Sequence, residues 1–207
     1  MYRNDRNRHG GGICVYLCSN LNCHILRKSH NCGGTVSQDK TEFMCVEIEC
    51  NNERFLLGVY YNPPDSDCSQ LLSEHCEEFT MKYQSTFFLG DFNTDLLKNN
   101  AKKQAFNNVI SSTSYTCVNS EPTFYHRTGC SLLVLLITDS PNRVGMIKYR
   151  SMVFQSTTRH SLRSIFVHNL TSPLFNATIK ILMLHYYNRH STNLIGMNFY
   201  QLVTRIH

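Results

Sequence analysis

Hydrophobic and polar residues alternate along most of this chain in the short period of β-strands, broken twice by the longer period of a helix. Ile13, Val15 and Leu17 fall on one face of a first strand. Residues 19–41 are polar, with Gly33-Gly34 as punctuation, and are expected to form a loop. Two strands follow at 43–48 and 54–61, joined by a hairpin turn at Asn51-Asn52. Asn62-Pro63-Pro64 ends the second, because proline can neither donate to a ladder nor continue it. Over 68–83, Leu71, Leu72, His75, Cys76 and Phe79 recur at helical spacing, with Asp67 or Ser69 as the expected cap. The next strand, 86–89, stops at Gly90.

Beyond it, Ala105, Phe106, Val109 and Ile110 predict a shorter helix, and residues 115–118 a brief strand. Residues 121–125 read as a rigid loop. The unbroken apolar run at 131–138 predicts a strand buried on both faces, ended by Pro141-Asn142. A further strand is expected at 162–167. Residues 179–184 suit helix or strand equally, and the sequence assigns no structure to the tail 168–207. Strand, helix and strand with short links is the α/β pattern.

The 207 residues are 42% hydrophobic, enough for a core and too many for a disordered chain. The longest apolar run, 132–137, is strand-sized and far short of a membrane span. Met1-Tyr2-Arg3-Asn4-Asp5-Arg6 contains no apolar segment of a secretory signal, so an intracellular protein, cytoplasmic or nuclear, is expected. Charge divides the chain more sharply than its net +5 suggests. Residues 1–100 carry −4, while 101–207 carry +9 with only two acids, Glu121 and Asp139. A basic half of this kind suits a polyanion, nucleic acid in particular.

Ten cysteines suggest a disulfide framework or zinc, but no CxxC pair occurs, and Cys23-His24 with His30-x-Cys32 is loosely spaced for a metal. Within strands these thiols act as small hydrophobes. His9-Gly10-Gly11-Gly12 resembles a hydrolase oxyanion loop, yet no Gly-x-Ser-x-Gly elbow accompanies it.

The candidate chemistry lies at Gly90-Asp91-Phe92-Asn93. If the backbone stays extended, Asp91 and Asn93 leave on one side and Phe92 turns to the core. A carboxylate beside an amide donor suits a site that holds a phosphate and a water. The plainer alternative is a turn that begins after a strand.

In order, the Arg3–Arg8 cluster with Gly10-Gly11-Gly12, Gly58-Val59-Tyr60-Tyr61-Asn62-Pro63-Pro64, Gly90-Asp91-Phe92-Asn93, Pro122-Thr123, the apolar strand and His160 form a series. It resembles the endonuclease/exonuclease/phosphatase superfamily, and more narrowly the apurinic-type endonuclease domain at the start of non-LTR retrotransposon polyproteins, upstream of reverse transcriptase. The resemblance covers residues 3–167 and implies a partial α/β (α+β) domain, a four-layer sandwich of two mixed β-sheets flanked by helices. It also implies magnesium-dependent hydrolysis of DNA phosphodiesters. Asp91 would orient or deprotonate water, Asn93 would hold the nucleophile or phosphate, Tyr61 would contact the scissile phosphate, and His160 would match the family's terminal histidine.

The departures bear on activity. The family's opening strands, with their asparagine and metal-binding glutamate, have no match, which leaves the metal ligands unknown and implies unpaired sheet edges. Val134 stands where an aspartate is expected, and Thr158-Arg159-His160-Ser161 replaces Ser-Asp-His, with a cation where an acid should hold the imidazolium. Each lost electrostatic partner typically costs a few kcal/mol. A truncated, inactive descendant of such an endonuclease domain, with magnesium held weakly and a residual rate close to background, is therefore expected. The alternative is a non-catalytic module that binds nucleic acid through the basic second half.

Overall fold

A computed structural model describes residues 2–5, 12–17, 21–29, 41–50, 52–145, 147–155, 161–172 and 177–186. In chain order the elements are β1 (Tyr2–Asp5), β2 (Gly12–Tyr16), β3 (Asn22–Lys28), β4 (Glu42–Cys50), β5 (Glu53–Tyr61), α1 (Ser69–Thr80), β6 (Ser85–Asp91) and α2 (Ala101–Ser112). Then come β7 (Thr116–Cys117), β8 (Phe124–His126), β9 (Gly129–Ser131), β10 (Val134–Thr138), β11 (Ile147–Gln155), β12 (Ser161–Ser172) and β13 (Ala177–Tyr186).

The fold is an α/β sandwich. Its larger sheet has six strands in the order β3-β4-β5-β6-β10-β7. It is mixed, because β5 and β6 run parallel through the α1 crossover while the other pairs are antiparallel. The second sheet, β1-β2-β13-β12-β11, is antiparallel throughout and so is not mixed as expected. Its last three strands form a meander, which needs no crossover helix. Nor do the described residues leave an unpaired edge inside it, for β13 pairs with both β2 and β12.

Strand alternation in the six-stranded sheet builds two cores. Met44, Val46 and Ile48 of β4, Phe55, Leu57 and Val59 of β5, Phe87 and Leu89 of β6, and Val134 and Leu136 of β10 meet Ile13 and Val15 of β2 between the sheets. The intervening Cys45, Leu56, Tyr60, Phe88, Leu135 and Ile137 meet Leu72, Cys76 and Phe79 of α1 and Phe106 and Val109 of α2. Both described helices thus cover one outer face. Among the described residues, no helix is long and apolar enough to cross a membrane.

The hairpin between β4 and β5 is present, with Cys50 paired to Glu53 and Asn52 in the left-handed region at φ 63°, while Asn51 lies outside the described residues. Elsewhere the boundaries move. The expected loop at 19–41 contains β3, an edge strand whose residues are mostly exposed and so carry no hydrophobic period. The apolar run at 131–138 is divided, because Ser131 closes the β8–β9 hairpin and β10 begins only at Val134. Cys68 occupies the N-cap of α1, while Asp67 accepts the Ser69 N–H at 2.9 Å just before it.

Candidate active site

Asp91 is the last residue of β6, and two ladders fix its neighbours. Tyr61 is its register partner on β5 and Val134 its partner on β10. Alternation puts all three on the inter-sheet face, in line with Leu89, Val59 and Leu136. The row extends one strand further, since Glu42 of β4 pairs with Tyr61. Glu42, Tyr61, Asp91 and Val134 therefore stand side by side across four strands at one end of the sheet.

Gly90 permits this row. A Cβ there would lie 2.7 Å from the carbonyl carbon of Tyr60, so only glycine lets β5 and β6 approach at this level. After Asp91, Phe92 turns to the helix side as expected, stacking on Tyr60 with ring centroids 5.5 Å apart. The extended backbone does not continue. Asn93 has φ 46°, and its N–H donates to Asp91 Oδ1 at 3.0 Å. Its side chain donates to the Asn62 carbonyl at 2.6 Å, so the pair is held by a turn and not by strand alternation.

Asn62, fully buried, is the clamp. Its N–H donates to the Asp91 carbonyl at 2.8 Å, and its carboxamide donates to the carbonyls of Phe92 at 3.0 Å and Ser66 at 2.9 Å. Its Oδ1 accepts from the Thr41 hydroxyl at 2.8 Å. The sequence marks Asn62 only as the end of a strand. The signal it does carry is an amide wedged between an apolar strand and two prolines, where the backbone is confined to extended conformations.

Asp91 is 7% exposed. Burial pushes its pKa up to about 7 against the pull of the Asn93 N–H. Asp95, four residues on, goes the other way. Burial raises it, but the N–H groups of Leu132 at 3.0 Å and Leu97 at 3.2 Å, with Ser131 and Lys98, outweigh burial and hold it below the usual carboxylate range. Asp95 ties the loop after β6 to the base of the β8–β9 hairpin. Thr123 completes that base, its hydroxyl accepting from the N–H groups of Leu133 at 3.1 Å and Val134 at 3.0 Å. The hairpin carries Tyr125, 72% exposed, and exposed Arg127.

Of the expected site residues, Tyr61, Asp91 and Asn93 come together. His160 and the flanking Thr158 and Arg159 lie outside the described residues. Glu42, which the sequence did not single out, joins the row.

Magnesium needs near-octahedral oxygen coordination, usually anchored by one or two carboxylates. Asp91 brings one, but its neighbours in the row are a phenol and an isopropyl group, and burial disfavours its charge. Among the described residues, no three His, Cys, Asp or Glu side chains form a group that could hold a metal. The described donors do not fit a tightly held magnesium ion.

No protein-family pattern and no curated protein matches the sequence. Among solved structures, the chain is similar to the endonuclease domain of TRAS1, a telomere-specific non-LTR retrotransposon. The TM-score is 0.44 at 15% identity, over 70% of this chain and 64% of that one. It is also similar to a humanised D. rerio TDP2, with a TM-score of 0.39 and 9% identity over 79% of this chain and 68% of that one. A third likeness is to an endonuclease/exonuclease/phosphatase family protein from Bacteroides thetaiotaomicron, at 0.36 and 11% identity over 85% and 67%. The chain thus spans about two thirds of the length of these structures.

Proposed function

We propose that this chain is a phosphodiester hydrolase acting on nucleic acid, of the retrotransposon endonuclease type, with a reduced site and slow turnover. Asp91 is the general base. The observation that carries this reading is its buried carboxyl, poised near pH 7, in register with Tyr61 and bonded to Asn93. An ionised Asp91 takes the proton of a water held beside it. Asn93, its amide N–H already bonded to Asn62, keeps its carboxamide oxygen to orient that water. Tyr61 contacts the phosphate. Turnover is slow because Val134 puts no carboxylate beside Asp91.

DNA is the proposed partner, through the +9 charge of residues 101–207 and the exposed Tyr125 and Arg127. The test is nicking of supercoiled DNA by wild type, Asp91→Asn and Asp91→Ala. Slow nicking lost in both variants is expected. Equal nicking by all three would reject the hydrolase. Salt-dependent DNA binding without any nicking would instead leave the non-catalytic module, which the same charge favours.

A further inference from the structure

Most polar groups away from Asp91 have structural partners. Tyr60 and His75 bond to each other at 2.5 Å in the helix-side core, Asp139 accepts the Thr86 N–H at 2.9 Å, and Glu78 joins Arg27 and Lys82 on the surface. Glu42 differs. It opens β4 on the inter-sheet face and is 6% exposed, a burial that glutamate rarely reaches. It is the register partner of Tyr61, as Tyr61 is of Asp91. Two strand spacings separate the two acids, roughly 10 Å between their Cα atoms.

That separation has a chemical meaning if Tyr61 contacts a phosphate. In an in-line displacement at phosphorus the entering and leaving oxygens lie on opposite sides. Two proton-transfer groups must then bracket the phosphate and cannot sit together on one side of it. Asp91 and Glu42 bracket Tyr61. We propose that Glu42 is the general acid of this site, a catalytic residue that protonates the leaving oxygen while Asp91 deprotonates the attacking water. This rests on the hydrolase reading above.

The step balances. The water oxygen bonds to phosphorus as its proton passes to the Asp91 carboxylate. The bond from phosphorus to the leaving sugar oxygen breaks, and that oxygen takes the proton of the Glu42 carboxyl. One proton has moved from Glu42 to the product and one from water to Asp91, and exchange with solvent restores both groups.

The leaving group supplies the test. A sugar alkoxide needs a proton to depart, whereas p-nitrophenolate does not. Wild type, Glu42→Gln, Glu42→Asp and Asp91→Asn are each assayed on the dithymidine dinucleotide and on a p-nitrophenyl phosphodiester of thymidine. Glu42→Gln is expected to lose about 100-fold or more on the dinucleotide and little on the nitrophenyl ester. Glu42→Asp should recover part of the loss, and Asp91→Asn should fail on both esters. Equal loss on both esters by Glu42→Gln, or none on either, overturns the assignment while the hydrolase stands. No cleavage of either ester by wild type removes the hydrolase and Glu42's role with it.

Discussion

Val134 stands directly opposite Asp91 in the antiparallel ladder between β6 and β10, both on the face that packs against the second sheet. An isopropyl group therefore lies where a polar neighbour would solvate the carboxylate. Burial raises the pKa of a carboxyl, and here it does so to about 7. Val134 brings no charge to the carboxyl, and burial holds Asp91 near neutrality.

Asp91→Asn should stabilise the protein, increasingly so as pH rises. The carboxyl titrates near 3.8 in the unfolded chain and near 7 in the folded one, so the native state holds the extra proton between them. Its contribution is fully present below about pH 4, is lost as pH climbs to 7, and is flat above. The shift corresponds to at most ~4 kcal/mol. Denaturant unfolding of both proteins from pH 4 to 8 should show the difference widening in that window. A constant difference would mean that Asp91 ionises normally.

Gly90→Ala tests the closeness of β5 and β6. The new Cβ would press on the Tyr60 backbone, which cannot swing aside as a side-chain tip can. Overpacking of this kind costs roughly 1–3 kcal/mol or more. Hydrogen exchange should show the Tyr61 and Asp91 amides losing protection before those of Leu56 and Thr86, further down the same strands.

Asn62→Ala removes the clamp and leaves the buried Phe92 carbonyl and the Ser66 carbonyl without its amide donors. Each unsatisfied buried group costs about 1–3 kcal/mol. Asn62→Asp should be worse, because a carboxylate oxygen would face those carbonyls. Thermal unfolding that ranks wild type above Ala and Ala above Asp supports the clamp. An Asp variant as stable as wild type would mean that the side chain does not bear on these carbonyls.

The central strands were legible because burial on both faces leaves near-continuous apolar runs in β5, β6 and β10, and strand alternation past Asp91 sent Phe92 to the core. β3 was not, since an exposed edge strand needs only register with β4. Leu132 and Leu133 look like strand yet are not, because the Leu132 N–H is taken by Asp95, the Leu133 N–H by Thr123, and their carbonyls by Leu96 and Phe92. At the site, Asp91 and Asn93 could be picked out by residue type, and Tyr61 only by its place in the series of motifs. Glu42 could not, for an acid at the start of a strand reads as solvent-facing until the β4–β5 register sets it beside Tyr61.

Val134→Asp asks whether the apolar wall sets the behaviour of Asp91. Two carboxyls directly opposite on neighbouring strands cannot both ionise cheaply, so one must titrate well above the other. Above pH 7 the variant should lose several kcal/mol of stability as both groups are driven to ionise. Near pH 5, where one or both stay protonated, the loss should shrink to the cost of burying a polar group in place of a methyl pair. Val134→Ala, which opens space for water and adds no charge, should lower the Asp91 pKa from about 7 and move its stability step to more acid pH. NMR titration of the Asp91 carboxyl in the three proteins gives the answer. A pKa that is the same with valine and alanine would show that the desolvation comes from elsewhere in the inter-sheet core.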